Sequence, residues 1–342
     1  MDEVLSPRRG QLLKLVVEEY VTTAQPVSSD ALVRKYVPRV SSATVRNELA
    51  ALEGFGYLYH PHTSAGRVPS DRGYRYYVQA LMGGARLSEN EERTISHQFH
   101  QVEFSVSEWI RLAASVLSSR VQNPVVISPP VSQTSRIRHL DLVKIGTSAV
   151  LVVVVLQSGA VRQQVLRPID DFPAESLADL ATEWKGLLVG KSSDEILKLT
   201  VEPLQRVLLD AITSLLQKAD GEFSSGGDIR VSGISYMAGQ PEFGTSDRFQ
   251  SIVEALEHDG IVHALMEPLL ESDGVYVAIG EEQPIDALRD CAVILAKYGR
   301  QGEMLGVVAV IGPTRLPYWR AVPMVSFTAG ILDQLLESTF LS

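Results

Sequence analysis

Apolar positions recur at helical spacing through the first fifty residues. Over residues 5–22 they fall at Leu12, Leu13, Leu15, Val16 and Val17, among Lys14, Glu18 and Glu19, which predicts a helix. Ser6-Pro7 starts it, with Ser as N-cap and Pro at the first helical position, and Gln25-Pro26 breaks it. "SSDALVRKY" follows as a short helix capped by Ser28 or Ser29, with Ala31, Leu32 and Tyr36 inward. After the tight connection Val37-Pro38-Arg39-Val40, Ser41 caps a third helix, "SSATVRNELAALEGFG", which closes at Gly54 and Gly56. Val45, Leu49 and Leu52 lie at i, i+4 and i+7, one narrow stripe that packs on the two earlier helices.

Beyond residue 84 the period changes. "SENEERTISHQF" opens with a capping box, Ser88 and Glu91, and "VSEWIRLAASVLSS" continues as connecting helix. His97 and His100 are i, i+3 neighbours without a third ligand in register, and read as a solvated face. Four strand-like runs follow, at 125–127, 137–144, 149–156 and 160–166, the last two joined by a hairpin at Gln157-Ser158-Gly159. Residues 173–219 turn helical, and "GEFSSGGD" (221–228) reads as a connector. A strand "IRVSGISYM", a helix "DRFQSIVEALE", three strands ("GVYVAIGEE", "CAVILAKYG", "EMLGVVAVIGP") and a closing helix complete the chain. Strands, a helical block, then strands again predict an α+β domain interrupted by an insertion.

The outer face of the third helix is the first sign of chemistry. Opposite its apolar stripe stand Ala43 and Asn47, flanked by Ser42, Thr44 and Arg46. These are short residues and hydrogen-bonders near an N-terminal end. Asn pairs bidentately with adenine, Arg with guanine, and Ala or a Thr methyl meets a thymine methyl. The capping serines and helix dipole also suit a phosphate. A short helix, a tight turn and such a helix predict a helix-turn-helix, although any three-helix unit shares part of the pattern. "HPHTSAGRVPSDRGYRYYV" then reads as a strand pair, the wing of a winged helix. At its tip Thr63, Ser64 and Gly66 bring little bulk, so backbone N–H groups and Arg67 can approach phosphate closely. Arg72 and Arg75 stand behind it as backbone contacts, with Tyr74, Tyr76 and Tyr77 as core. A metal site at His60 and His62 lacks any Cys or carboxylate at a matching spacing.

Composition narrows the class. The chain has 342 residues, room for two or three domains, with 45% apolar and 21% charged residues, ordinary for a soluble globular protein. Net charge is −10, from 31 Lys/Arg and 41 Asp/Glu; ten and eight of these fall in residues 1–84, leaving 21 against 33 in the remainder. Nucleic-acid contact is therefore expected from the N-terminal segment alone. No apolar run has membrane-spanning length, the N-terminus lacks the order of a signal peptide, and the single cysteine, Cys291, fits a reducing cytoplasm as a buried hydrophobe. "IGEEQP" and "IGPTR" read as turns, since the latter lacks the phosphate-loop pattern. With no catalytic triad, metal cluster or dinucleotide fingerprint, neither an enzyme nor a bound cofactor is expected.

"SSATVRNELAALEGFGYL" followed by "PHTSAGRVPSDRGYRYYV" resembles the heat-inducible transcription repressor HrcA family. So do "LSPRRGQLLKLVVEEYVTTAQPVSS", "YVAIGEE" with "LRDCAVILAKYG", and "GVVAVIGPTRLPYWRAVPMV", spread over nearly the whole chain. The resemblance implies an α+β protein with an N-terminal winged helix-turn-helix and a GAF-like domain split by an inserted dimerisation domain. The boundaries expected are 1–84 for the DNA-binding domain and 85–122 for connecting helices. The GAF-like domain takes 123–169 and 262–342, and the inserted dimerising domain 170–261. It further implies a cytoplasmic homodimer on double-stranded DNA at an inverted-repeat operator of chaperone operons, no membrane, and a GroE chaperonin that keeps the repressor active. Two other classes stay open: a regulator whose GAF-like domain senses a metabolite, and an enzyme carrying a DNA-binding module.

Overall fold

The N-terminal apolar stripes fold into three helices and a hairpin. The computed structural model describes residues 5–61, 66–102, 105–130, 134–145, 149–167, 174–225, 229–244, 246–257, 269, 274–300 and 304–340. Ser6 caps α1 (Pro7–Thr23), accepting the Arg9 N–H, and Ala24 ends it in the left-handed conformation. Ser28 caps α2 (Ser29–Lys35) and Ser41 caps α3 (Ser42–Gly54). Leu32, Val45, Leu49 and Leu52 are buried against Leu12, Leu13, Val16 and Val17 of α1. Tyr36 differs from expectation: it is exposed, because its hydroxyl donates to Glu19 at 2.5 Å beside Lys35. β1 (Leu58–Tyr59) and β2 (Val68–Pro69) pair antiparallel, and α4 (Asp71–Tyr76) leaves the hairpin, running into one π turn at Tyr77–Leu81.

α5 (Glu89–His100), with its Ser88–Glu91 capping box, and α6 (Val106–Val121) lead into the body. There β3 (Val125–Ile127) begins a sheet that β4 (Ile137–Ile145), β5 (Ala149–Leu156) and β6 (Val161–Leu166) do not join. These three form their own antiparallel sheet, and α7 (Ala174–Leu188), α8 (Ser193–Leu197) and α9 (Pro203–Ser225) cover one face of it. β7 (Arg230–Ser232) returns beside β3. The strand expected over "IRVSGISYM" stops there, since Gly233 turns the chain into α10 (Ile234–Ala238). α11 (Ser246–Glu257), β8 (Val275–Ile279), β9 (Cys291–Arg300), β10 (Met304–Pro313) and α12 (Tyr318–Phe340) follow. The large sheet has the order β7-β3-β10-β9-β8, antiparallel throughout.

Both faces of that sheet are covered, which is why β9 and β10 read as unbroken apolar runs. Ala292, Ile294, Val308 and Val310 face α6 and α12, while Val293, Leu295, Val307 and Ala309 face α10 and α11. Hydrophobic packing therefore divides the chain differently from the sequence boundaries. Val150, Val152, Val154 and Leu156 of β5 pack with α7–α9, so the excursion from the large sheet begins before residue 170. Ile252 and Leu256 of α11, expected within the insertion, belong instead to the core under the large sheet. The first residues of the expected 221–228 connector also continue α9 through Ser225.

One core joins the N-terminal helices to this sheet. Tyr74 packs on Tyr318 (5.9 Å between centroids) and Tyr77 on Trp319 (6.4 Å). The Asp71 carboxylate sits on the backbone of Gly280, whose φ is +58°, and a Cβ there would lie 1.7 Å from Asp71 Oδ2. Gly280→Ala is therefore expected to lower stability by about 1–3 kcal/mol through strain and lost docking. Gly84→Ala, with nothing within 4 Å of the added carbon, serves as the control. Chemical denaturation of the two variants checks it.

Candidate nucleic-acid interface

The third helix presents two chemically opposite sides. Val45, Leu49 and Leu52 are buried, while Ala43, Arg46, Asn47 and Ala50 are exposed. Among the described residues neither the Arg46 nor the Asn47 side chain has a hydrogen-bond or ion-pair partner. The Ser41 hydroxyl accepts the Thr44 N–H at 3.1 Å and lies 2.8 Å from Thr44 Oγ1. Ser42 donates to Asp30 and lies 3.3 Å from Ser29 Oγ, so its hydroxyl ties α3 to α2. Arg9 donates to Glu48 at 2.9 Å and rests 5.4 Å from the Phe55 ring, tying α3 to α1. A small polar face on a helix held from both sides has the rigidity and the donors and acceptors that reading groove edges requires.

The hairpin departs from expectation at its cationic residue. Thr63 and Ser64 lie outside the described residues. Gly66 approaches the α1–α2 linker, and a Cβ on it would sit 2.4 Å from the Val27 carbonyl carbon. Arg67 pairs with Val27 through both backbone groups at 2.8 Å. Its side chain is 12% exposed and points to Glu53, with Nη2 3.1 Å from Oε2. The guanidinium expected to approach phosphate is held against the protein by this carboxylate. His60 Nδ1 donates to the other oxygen of Glu53 at 2.6 Å. Burial pushes the Glu53 carboxyl up, but His60 and Arg67 outweigh it and hold it below the usual carboxylate range.

The two arginines behind the hairpin divide. Arg72 is exposed; it donates to the Phe55 carbonyl at 2.9 Å and stacks 4.8 Å from the Tyr57 ring. Arg75 does not stand with the others. Its Nε donates to Glu282 Oε1 at 2.8 Å and its Nη2 to the Val277 carbonyl at 2.6 Å, with a further bond to Glu282 Oε2. In this structure the side chain expected to meet phosphate clamps α4 to β8 and the turn that follows it, because α4 lies against that strand. Beside it, burial raises the Asp71 carboxyl, and Glu281, Glu282 and Asp290 add to the rise.

Sequence reasoning missed Glu53 and the exposed cations Arg8, Arg34 and Arg39. Arg39 had a signal, standing two residues before the Ser41 cap. Elsewhere burial pushes the Cys291 thiol up to about 12. Among the described residues there is no group of three or more His, Cys, Asp or Glu able to hold a metal, and no helix long and apolar enough to cross a membrane.

Residues 107–322 match the family described as "HrcA protein C terminal domain". A Roseiflexus sp. (strain RS-1) protein named heat-inducible transcription repressor HrcA is 41% identical, over 98% of this chain and 96% of that protein. The chain belongs to the HrcA family. A second HrcA, from Herpetosiphon aurantiacus, is 39% identical over 98% of this chain and 96% of its own length. A crystal structure described as a hypothetical protein covers 98% of this chain and 100% of that one at 23% identity, with a TM-score of 0.68, and shares the fold. The HrcA family is one of transcription repressors, which is not an enzyme class.

Arg75→Ala is expected to cost about 1.5–3 kcal/mol of stability, the worth of hydrogen bonds to a charged group, by urea denaturation. A drop in DNA affinity with unaltered stability would return Arg75 to the interface.

Proposed function

We propose that this protein is a heat-inducible repressor of chaperone operons that binds an inverted-repeat operator as a homodimer. Residues 1–84 act as a winged helix-turn-helix, 85–122 connect it, and the large sheet is a GAF-like domain split by a dimerising insertion. The observation that carries the reading is the α3 face of Ala43, Arg46 and Asn47, exposed and without partners among the described residues. Asn47 and Arg46 read base edges, Ala43 and Thr44 meet a thymine methyl, and the α3 N-terminus and Arg72 take phosphates. The relatives' shared name supports heat-inducible repression and does not favour a metabolite sensor.

The outer face of the β4–β6 sheet supports the dimer. Val143 (47% exposed), Leu151 and Val165 (47%) form one cross-strand row, and Val155 with Val161 (57%) another. An apolar sheet face of this kind is an interface, and a second copy is its occupant here. A two-fold dimer places two α3 helices on two half-sites, which matches a palindromic operator. A GroE chaperonin keeps the chain folded, and heat stress, by occupying it, relieves repression.

Selection by the purified protein from a random duplex pool should enrich an inverted repeat. On that duplex Asn47→Ala is expected to lose ~1–3 kcal/mol of discrimination at one base pair per half-site. No enrichment at low salt, or Arg46→Ala binding as wild type does, would sink the reading. Val161→Lys should shift the protein from dimer to monomer in sedimentation equilibrium; an unchanged dimer would place the interface elsewhere.

A further inference from the structure

We infer that Glu53 is a positioning residue for DNA binding: it locks both legs of the hairpin to the C-terminal turn of α3 and thereby fixes the wing relative to the reading helix. The inference rests on the proposed DNA-binding role of this unit, and it reassigns Arg67 from phosphate ligand to the second half of the lock.

The geometry assigns one carboxylate oxygen to each leg. His60, just past β1, donates to Oε1, and Arg67, just before β2, reaches Oε2. Both legs are thus tied to one side chain, and that side chain belongs to α3. A second tie lies on the opposite side, where Arg67 exchanges two backbone hydrogen bonds with Val27 in the α1–α2 linker. Gly66 permits that approach, since any Cβ would overlap the Val27 carbonyl. Arg67 is therefore gripped at its backbone by one part of the helical unit and at its guanidinium by another.

Two further facts separate a lock from a cation held ready for DNA. Arg67 Nε is buried and lacks a hydrogen-bond partner, so a phosphate cannot reach that side of the guanidinium without moving the hairpin. And Glu53 stands in the last turn of α3, where the helix dipole disfavours negative charge. A carboxylate there also repels an approaching polyanion. Glu53 is thus unfavourable for its own helix and for long-range DNA attraction, and the Arg67 guanidinium with the His60 ring N–H supplies the compensating interaction. What the residue contributes is the fixed hairpin.

This gives the Glu53→Gln variant a sign that electrostatics alone does not. The amide keeps the size of the side chain but loses the charge that binds His60 and Arg67. If Glu53 were only a negative charge near DNA, its removal would tighten binding. As a lock, its removal weakens it. We expect Glu53→Gln and Arg67→Ala each to weaken binding to the selected duplex about 10- to 150-fold, the scale of one lost charge-assisted hydrogen bond. The double variant should bind no worse than the weaker single one, because both remove the same interaction. The slope of log affinity against log salt should stay at the wild-type value in all three. Loss of one phosphate contact would instead lower it by about one. Independently of DNA, amide hydrogen exchange at Val27 and Arg67 should accelerate several-fold in Glu53→Gln, while Leu49 and Leu52 in the core keep wild-type protection. That control separates a freed hairpin from a general loss of fold.

Tighter binding by Glu53→Gln, a salt slope lowered by about one in Arg67→Ala, or additive losses in the double variant would overturn the lock. So would unchanged exchange at Val27 and Arg67. If the wild-type protein enriches no duplex, the DNA-binding reading fails instead, and accelerated exchange at those two amides still tests the clamp itself.

Discussion

The placement of every candidate DNA-facing residue depends on one packing arrangement, the docking of the N-terminal unit on the start of α12, which itself packs on the large sheet and α6. Tyr318, Ala321, Met324, Val325, Leu332 and Leu336 of α12 share a single hydrophobic core with Leu13, Val16 and Leu49. Tyr74 and Tyr77 add aromatic contacts to Tyr318 and Trp319. The unit that carries α3 is therefore no bead on a flexible tether. Close-packed interiors do not deform continuously, so a change in its orientation requires that shared core to repack. The Arg75–Glu282 clamp and the Asp71 seat on Gly280 stand at one margin of this interface, and Arg315 stands at another. Arg315 pairs with Glu242 and reaches the Val21 carbonyl at 3.4 Å. Polar contacts at the margins set the angle that the apolar core holds.

The same contacts decide which cations are available to a polyanion. Arg9 is bound to Glu48, Lys35 to Glu19, Arg67 to Glu53 and Arg75 to Glu282. Each neutralised pair removes one charge from the count that governs salt-dependent affinity. Arg8, Arg34, Arg39 and Arg46 are exposed and have no ion-pair partner among the described residues. These cations belong to α1, α2, the α2–α3 turn and α3, so the available positive charge is concentrated on the helices. The hairpin has its described guanidinium turned inward. In the proposed complex, attraction then comes from the helical unit and the hairpin contributes shape.

Local patterns were legible where a residue's role depended on its sequence neighbours. The Ser6, Ser28, Ser41 and Ser88 caps and the Val45, Leu49, Leu52 stripe stand as expected, since capping and helical burial act over three or four positions. So do the antiparallel β1–β2 pair and the α+β class. What was not legible depended on distant partners. Nothing near Arg75 announces Glu282, which lies more than two hundred residues away, and Tyr36 left the core because Glu19 takes its hydroxyl. The β5 run "AVLVVVVL" looks buried on both faces, yet only Val150, Val152, Val154 and Leu156 reach a core. An apolar run records that both faces avoid water. It cannot tell a partner within the chain from one outside it.

The route back from that insertion bears on folding. β3 must wait for β10, since Ile127 pairs with Val308 and Val125 with Val310, and for β7, where Ile127 pairs with Arg230. Closing loops of that length costs entropy before any pairing compensates it, so the central strands form late. Until they do, β9 and β10 present two apolar faces and two open edges, and the outer face of β4–β6 exposes Val143, Val161 and Val165. Both surfaces are aggregation templates during that interval. The proposed chaperonin dependence thus follows from topology: a sheet whose middle strands come from opposite ends of a long excursion is exposed for as long as that excursion takes to fold. Heat raises the unfolding rate and returns more of the chain to that exposed state, which is the step at which the proposed chaperonin control would act.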